Sequence, residues 1–279
     1  MRWTRGDRGN IEDRRGSSVR MGAMPLGIGG ILILLVLSWF TGVDFLSLAG
    51  GIPQEQTETT GTTGPIETTP EEERTVDMVD AVMADSQATW SDLMGGRYQP
   101  TVAVLFRDAT SSNCGFAQSA VGPFYCPADR KVYLDLSFFN DLRTQFGAPG
   151  EFAQAYVLAH EVGHHVQTLM GTESRVRQLQ QTNPSARNEL SVRMELQADC
   201  YAGVWGRAAA RAGGRVDLDQ GDLEDGLRAA AAIGDDTLQK RGGGHVMPDK
   251  FTHGSSEQRV TWFRRGFESG DPNACNTFQ

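Results

Sequence analysis

Apolar and polar residues alternate along this chain on three different scales. Between Arg20 and Asp44 there is no charge, and Ile31 to Leu37 reads ILILLVL. As a helix, residues 21–43 are long enough to cross a hydrocarbon layer of about 30 Å, so the pattern predicts one transmembrane helix. A cleaved signal peptide, cut after Ser47-Leu48-Ala49, is the competing reading. The apolar run exceeds the ~7–15 residues of such a signal and a long leader precedes it, which favours the anchor. From Gly50 to Glu73 the residues are polar, rich in Thr, Gly and Glu, with almost nothing to form a core. That composition predicts an acidic flexible linker over 44–73.

Beyond this point the apolar residues return at helical spacing. Val79, Val82, Met83 and Trp90 predict a helix over Val76 to Leu93. Thr101 to Phe106 and Lys131 to Leu136 read as short strands, with a loop from Ser111 to Asp129 between them. Three helices follow, Glu151 to Met170, Arg187 to Ala212 and Leu218 to Ile233, each stopped by a glycine that tolerates a left-handed cap. A last helix runs from Ser256 to Gly266, with Ser255 or Ser256 as its cap. No internal repeat is visible. The expected fold is α+β, mainly helical with a small β-sheet, in one domain over residues 74–279, enough for a single core.

Charge orients these segments. The 279 residues carry a formal net charge of -9, which argues against a nucleic-acid partner, because phosphate binding needs an excess of Lys and Arg. Arg2, Arg5, Arg8, Arg14, Arg15 and Arg20 precede the apolar run, whereas the next basic residue after it is Arg74. By the positive-inside rule, residues 1–20 form a basic cytoplasmic leader. The remainder then lies outside the cytoplasmic membrane, in the periplasm or extracellular space, on a single-pass protein. The cysteines are Cys114, Cys126, Cys200 and Cys275, with no C-x-x-C pair to suggest a zinc ribbon. An exported domain favours disulfides, and the pairing preferred among the three possible is Cys114 with Cys126 and Cys200 with Cys275. Free buried thiols would suit a cytoplasmic orientation.

The most informative string lies inside the helix after Gly150: His160-Glu-Val-Gly-His164-His165 contains H-E-x-x-H. Residues four apart share a helix face, so His160 and His164 can each offer a ring nitrogen to one zinc ion. Glu161 falls beside them, where its carboxylate can act as general base on a zinc-activated water. Chance produces this match about 0.005 times in a chain of this composition. His165 points about 100° away from His164 and reads as structural. A third ligand is needed. Gln167 and Met170 occupy the positions where a metzincin would carry Gly and His, which excludes that class. The next long helix carries Glu195 and Asp199, one turn apart, so one can ligate while the other accepts a hydrogen bond from a liganding histidine. Glu195 is assigned as ligand and Asp199 as its support, with the reverse assignment left open because both share one face.

The strings Gly122-Pro-Phe-Tyr-Cys-Pro127, Tyr156-Val-Leu-Ala-His-Glu-Val-Gly-His-His-Val-Gln167, Glu195-Leu-Gln-Ala-Asp-Cys-Tyr-Ala202 and Phe251-Thr-His-Gly-Ser-Ser-Glu-Gln-Arg259 resemble the neutral zinc metallopeptidase family of bacterial membrane-anchored proteins. The likeness extends to the arginine-rich leader and the single span. It implies a zincin-like domain of the gluzincin type with His160, His164 and Glu195 on zinc, but no particular substrate.

The resulting expectation is a membrane-anchored zinc endopeptidase holding one zinc ion per chain and acting on a peptide or protein substrate. The alternative is a zinc-binding, non-hydrolytic envelope protein that binds a partner. In zinc peptidases substrate adds to an edge strand, here expected at Val132 to Leu136. A side-chain donor then assists at the carbonyl, with His253 preferred over His245, Tyr133 and Tyr156. Gly234-Asp235-Asp236 reads as an ordinary turn rather than a second metal site. Composition does not specify an oligomeric state.

Overall fold

The sequence grammar of caps and breakers accounts for most of the elements observed. The structure, a computed structural model, describes residues 1–17, 66–118, 122–211, 213–219, 221–243 and 245–278. The expected transmembrane segment 21–43 and most of the linker 44–73 lie outside these residues. Among the described residues no helix is long and apolar enough to cross a membrane.

In chain order the elements are β1 (Arg2–Trp3), β2 (Ile11–Asp13), α1 (Pro70–Met94), β3 (Ala103–Phe106), β4 (Ala109–Ser112), β5 (Gly115–Gln118), β6 (Phe124–Cys126) and β7 (Lys131–Asp135). There follow α2 (Ser137–Thr144), α3 (Glu151–Leu169), α4 (Thr172–Thr182), α5 (Arg187–Ala209), β8 (Val216–Asp217), α6 (Asp222–Ala232), α7 (Asp235–Arg241) and α8 (Ser256–Ser269). The fold is mixed α and β, mostly helical with small sheets. α3 is its axis, buried on nearly every face from Phe152 to Gln167 and packed against α1, α5 and α6, while α8 lies along α5.

Two boundaries move relative to the sequence reading. The acidic run Glu71–Glu73, assigned to the linker, is the first turn of α1. Thr69 caps that turn by accepting the Glu72 N–H, Pro70 fits the first helical position, and three carboxylates at a helix N-terminus are favoured by its dipole. The larger correction concerns the leader. Residues Met1–Gly16 belong to the same packed unit as Pro65–Gln279. β2 pairs in parallel with β3, opposing Ile11 to Ala103 and Asp13 to Leu105, and β1 pairs antiparallel with β8. A domain beginning at residue 74 would leave β3 with one edge unpaired.

The central sheet runs β2-β3-β7-β6, parallel except for the antiparallel β6. β7 is therefore interior, hydrogen-bonded to β3 on one side and β6 on the other. Val132 to Leu136 cannot receive a substrate strand. Among the described residues the sheet's edge strands are β2 and β6; β6 lies in the Ser111–Asp129 stretch read as loop, which also holds the β4–β5 hairpin. Disulfides join Cys114 to Cys126 and Cys200 to Cys275, the expected pairs. The first ties the hairpin to β6, and the second ties the chain's tail to α5.

Candidate metal centre and active-site cleft

α3 and α5 cross with almost no side chain between them at one point. A Cβ at Gly163 would stand 3.0 Å from the Ala198 carbonyl oxygen and 3.1 Å from its Cα. Glycine within H-E-V-G-H thus lets the α5 backbone close onto α3, which carries Glu195 and Asp199 to the two histidines. Among the described residues, His160, His164 and Glu195 form a group whose donor atoms all lie within 4.8 Å of one another.

The hydrogen bonds behind these side chains fix which nitrogen faces the centre. His160 donates from Nδ1 to Asp199 Oδ1 at 2.8 Å, because a carboxylate can only accept. His164 donates from Nδ1 to Gln167 Oε1 at 2.8 Å. The Gln167 amide is itself oriented, since its Nε2 donates to the Met194 carbonyl at 2.8 Å and to Gln197 Oε1 at 3.1 Å. Both Nε2 atoms are left facing Glu195, at 3.2 Å for His160 and 3.5 Å for His164. Two imidazole lone pairs and a carboxylate converging in this way repel one another unless a positive charge lies between them. Without a metal cation a proton can take that place: burial works against a charged His160, yet Asp199 and Glu195 outweigh it and lift its pKa to about 10. A nitrogen and oxygen donor set of this composition, with supported imidazoles, fits zinc.

Asp199 is fully buried and anchors this arrangement. Arg259 from α8 grips it through Nε at 2.8 Å and Nη2 at 2.9 Å, and the Tyr156 hydroxyl donates to the same carboxylate. Burial opposes the Asp199 charge, but Arg259 and His160 hold its pKa below the usual carboxylate range. This network occupies Asp199, which leaves Glu195 as the carboxylate facing both histidines.

A cleft of about 800 Å³ opens over the centre, with His160, Glu161, His164 and Glu195 on its surface and Tyr125, His253 and Arg259 along its walls. Glu161 is 7% exposed. Burial raises its pKa, partly offset by His160 and His164, and its carboxylate accepts the backbone N–H of Tyr125 in β6. The edge strand and the candidate base are thus in direct contact. His165 takes no part in the metal group; it bonds the Tyr125 hydroxyl at 2.9 Å and the Gln99 carbonyl at 2.6 Å, bracing β6 against α3.

A match to the family described as "Putative neutral zinc metallopeptidase" spans residues 1–278. The chain belongs to this family. It is 49% identical over 291 aligned residues to the uncharacterized protein YpfJ of Escherichia coli K12, covering all of this chain and 99% of that one. It is 45% identical over 199 residues to the uncharacterized protein Rv2575 of Mycobacterium tuberculosis H37Rv, covering 68% of this chain and 66% of the relative. No solved structure matches. The family thus implies zinc, and the His-His-Glu group is where these residues can bind it.

The candidate donors separate cleanly. Tyr133 donates its hydroxyl to Asp129 and Tyr156 is committed to Asp199, whereas His253 lines the cleft. The residue that sequence reasoning missed is Asp235. Read as part of a turn, it begins α7 and its Oδ2 accepts the N–H groups of Thr252, His253 and Gly254 at 2.7 to 3.0 Å. Its Oδ1 accepts from His253 Nδ1 at 3.1 Å. Its only sequence signal was a carboxylate at a helix start. Gln167 and Arg259 were equally unassigned, although both lie inside strings singled out for other residues.

Proposed function

We propose that the chain is a zinc-dependent endopeptidase of gluzincin-like architecture, with His160, His164 and Glu195 holding one zinc ion and Glu161 as general base. The observation that carries this reading is the pair of fixed Nδ1–H tautomers, which aim two lone pairs and a carboxylate at one point. When bound there, zinc supplies Lewis acidity toward a water and a peptide carbonyl. The protein's own residues do the rest. An extended peptide adds to the open edge of β6, which brings its backbone beside Glu161. Glu161, desolvated and so more basic than a surface carboxylate, takes a proton from water and returns it to the leaving amine. His253, donating from Nδ1 to Asp235, keeps Nε2 for the oxygen on which negative charge develops.

Glu161→Gln tests this directly. The variant should bind zinc as the parent does and lose hydrolysis of casein or a peptide library by about 10²–10⁴-fold. Metal analysis should give one zinc per chain, falling in a His160→Ala variant. Equal turnover by parent and Glu161→Gln would remove the mechanism, and zinc without turnover in either would favour the non-hydrolytic binder.

A further inference from the structure

The six arginines before the apolar run were read as a signal that holds the leader in the cytoplasm. In the structure five of them have other work. Arg2 pairs with Asp219, Arg5 and Arg8 with Asp77, Arg14 with Glu12, and Arg15 with Asp13, Glu72 and Glu73. Arg15 is 6% exposed. Exposed pairs such as Arg2–Asp219 contribute little, so the charges alone would not dock a segment. The backbone does more. The Arg14 N–H donates to the Leu105 carbonyl and the Ala103 N–H donates to the Asn10 carbonyl, both at 2.8 Å, extending the β2–β3 ladder. Asp80, fully buried in α1, accepts from the Arg8 N–H, the Asn10 N–H and Asn10 Nδ2 at 3.0 to 3.2 Å. The acidic face of α1 and the free side of β3 together form a receptor of matching charge and hydrogen-bonding pattern, and the leader fills it.

We propose that residues 2–15 are a structural strand-and-strap of the zinc-binding domain, so that the leader and the cleft lie on the same side of any membrane the protein meets. A strand hydrogen-bonded to β3 cannot be separated from β3 by a bilayer. A topology that puts the leader on one side of a membrane and the domain on the other is incompatible with this pairing. Three of these arginines, Arg5, Arg8 and Arg15, are matched to carboxylates of α1, a use of basic charge unrelated to membrane orientation. This inference is independent of whether the centre hydrolyses peptides.

The full-length chain, expressed in cells, gives the test in two arms. Arg2 and Asp217 stand directly opposite in the β1–β8 pair, a spacing a disulfide can bridge. An Arg2→Cys, Asp217→Cys double variant should close within one chain on mild oxidation, giving a faster-migrating monomer that reverts with reductant. In the second arm, single Asp7→Cys and Glu268→Cys variants, both at exposed positions, should react with a membrane-impermeant maleimide from the same side of sealed cells or inverted vesicles. Labelling from opposite sides overturns the proposal. Same-side labelling without a crosslink overturns the strand pairing, and a crosslinked dimer overturns the assignment of the strap to its own chain.

Discussion

His253 holds its proton more tightly than a free imidazole because of one neighbour. The hydrogen bond to Asp235 raises its pKa above the ordinary value of about 6.5, against the pull of burial. In the proposed donor role His253 acts while protonated, so its contribution persists up to the raised pKa and is lost as pH rises through it. Asp235→Asn keeps an oxygen for the N–H groups of Thr252, His253 and Gly254 but removes the charge. The alkaline limb of kcat should then move to lower pH, read from rates of peptide hydrolysis across pH. A uniform fall in rate with an unmoved limb would place Asp235 in support of the loop alone. The contrast with the metal group shows what a sequence discloses at this scale. His160, Glu161 and His164 were legible because a helix turns their spacing into proximity without any knowledge of the fold. Asp235 and His253 are 18 residues apart on separate elements, and no local periodicity links them.

At the scale of elements, the centre depends on how closely α5 and α8 approach. Gly203 in α5 faces the Phe263 carbonyl and the Phe267 N–H, and Gly266 in α8 faces the Cys200 carbonyl, so a Cβ at either position would overlap backbone. α5 carries Glu195 and Asp199, and α8 carries Arg259. Gly203→Ala must push the helices apart, lowering stability by about 1–3 kcal/mol in thermal melts and weakening zinc retention during dialysis against chelator. A variant that melts with the parent would mean that the crossing accommodates a methyl group. The long helices were legible because their apolar stripes and glycine stops coincide. β6 was not, since three residues are too few for a two-residue alternation to show, and its neighbours Pro123 and Pro127 read as turns. The substrate edge was therefore assigned to the more apolar β7, which the fold places inside the sheet.

Over the whole molecule, sequence order and spatial order diverge most at the leader. Asn10 meets residues 70 to 93 positions away: its N–H and Nδ2 donate to Asp80, its Oδ1 accepts from Gln87 Nε2 at 2.7 Å, and its carbonyl accepts the Ala103 N–H. No local pattern announces such pairings, and an arginine-rich stretch before an apolar run has a familiar membrane meaning that conceals them. The energetic consequence can be measured. Asn10→Ala leaves Asp80 short of the Nδ2 donor and Gln87 short of an acceptor, while its backbone N–H still donates to Asp80, which should cost about 1–3 kcal/mol. Asp80→Ala removes the acceptor and should cost a similar amount, because the Arg8 and Asn10 N–H groups lose their partner. If the leader is seated as described, the double variant will fall short of the sum by roughly 1 kcal/mol, since each single change already breaks the shared Asn10 Nδ2–Asp80 hydrogen bond. Denaturation of the purified full-length chain, at fixed zinc concentration so that metal linkage does not shift the midpoint, gives all three values. Strict additivity would mean that residues 10 and 80 do not meet, and the strap would lose its anchor on α1.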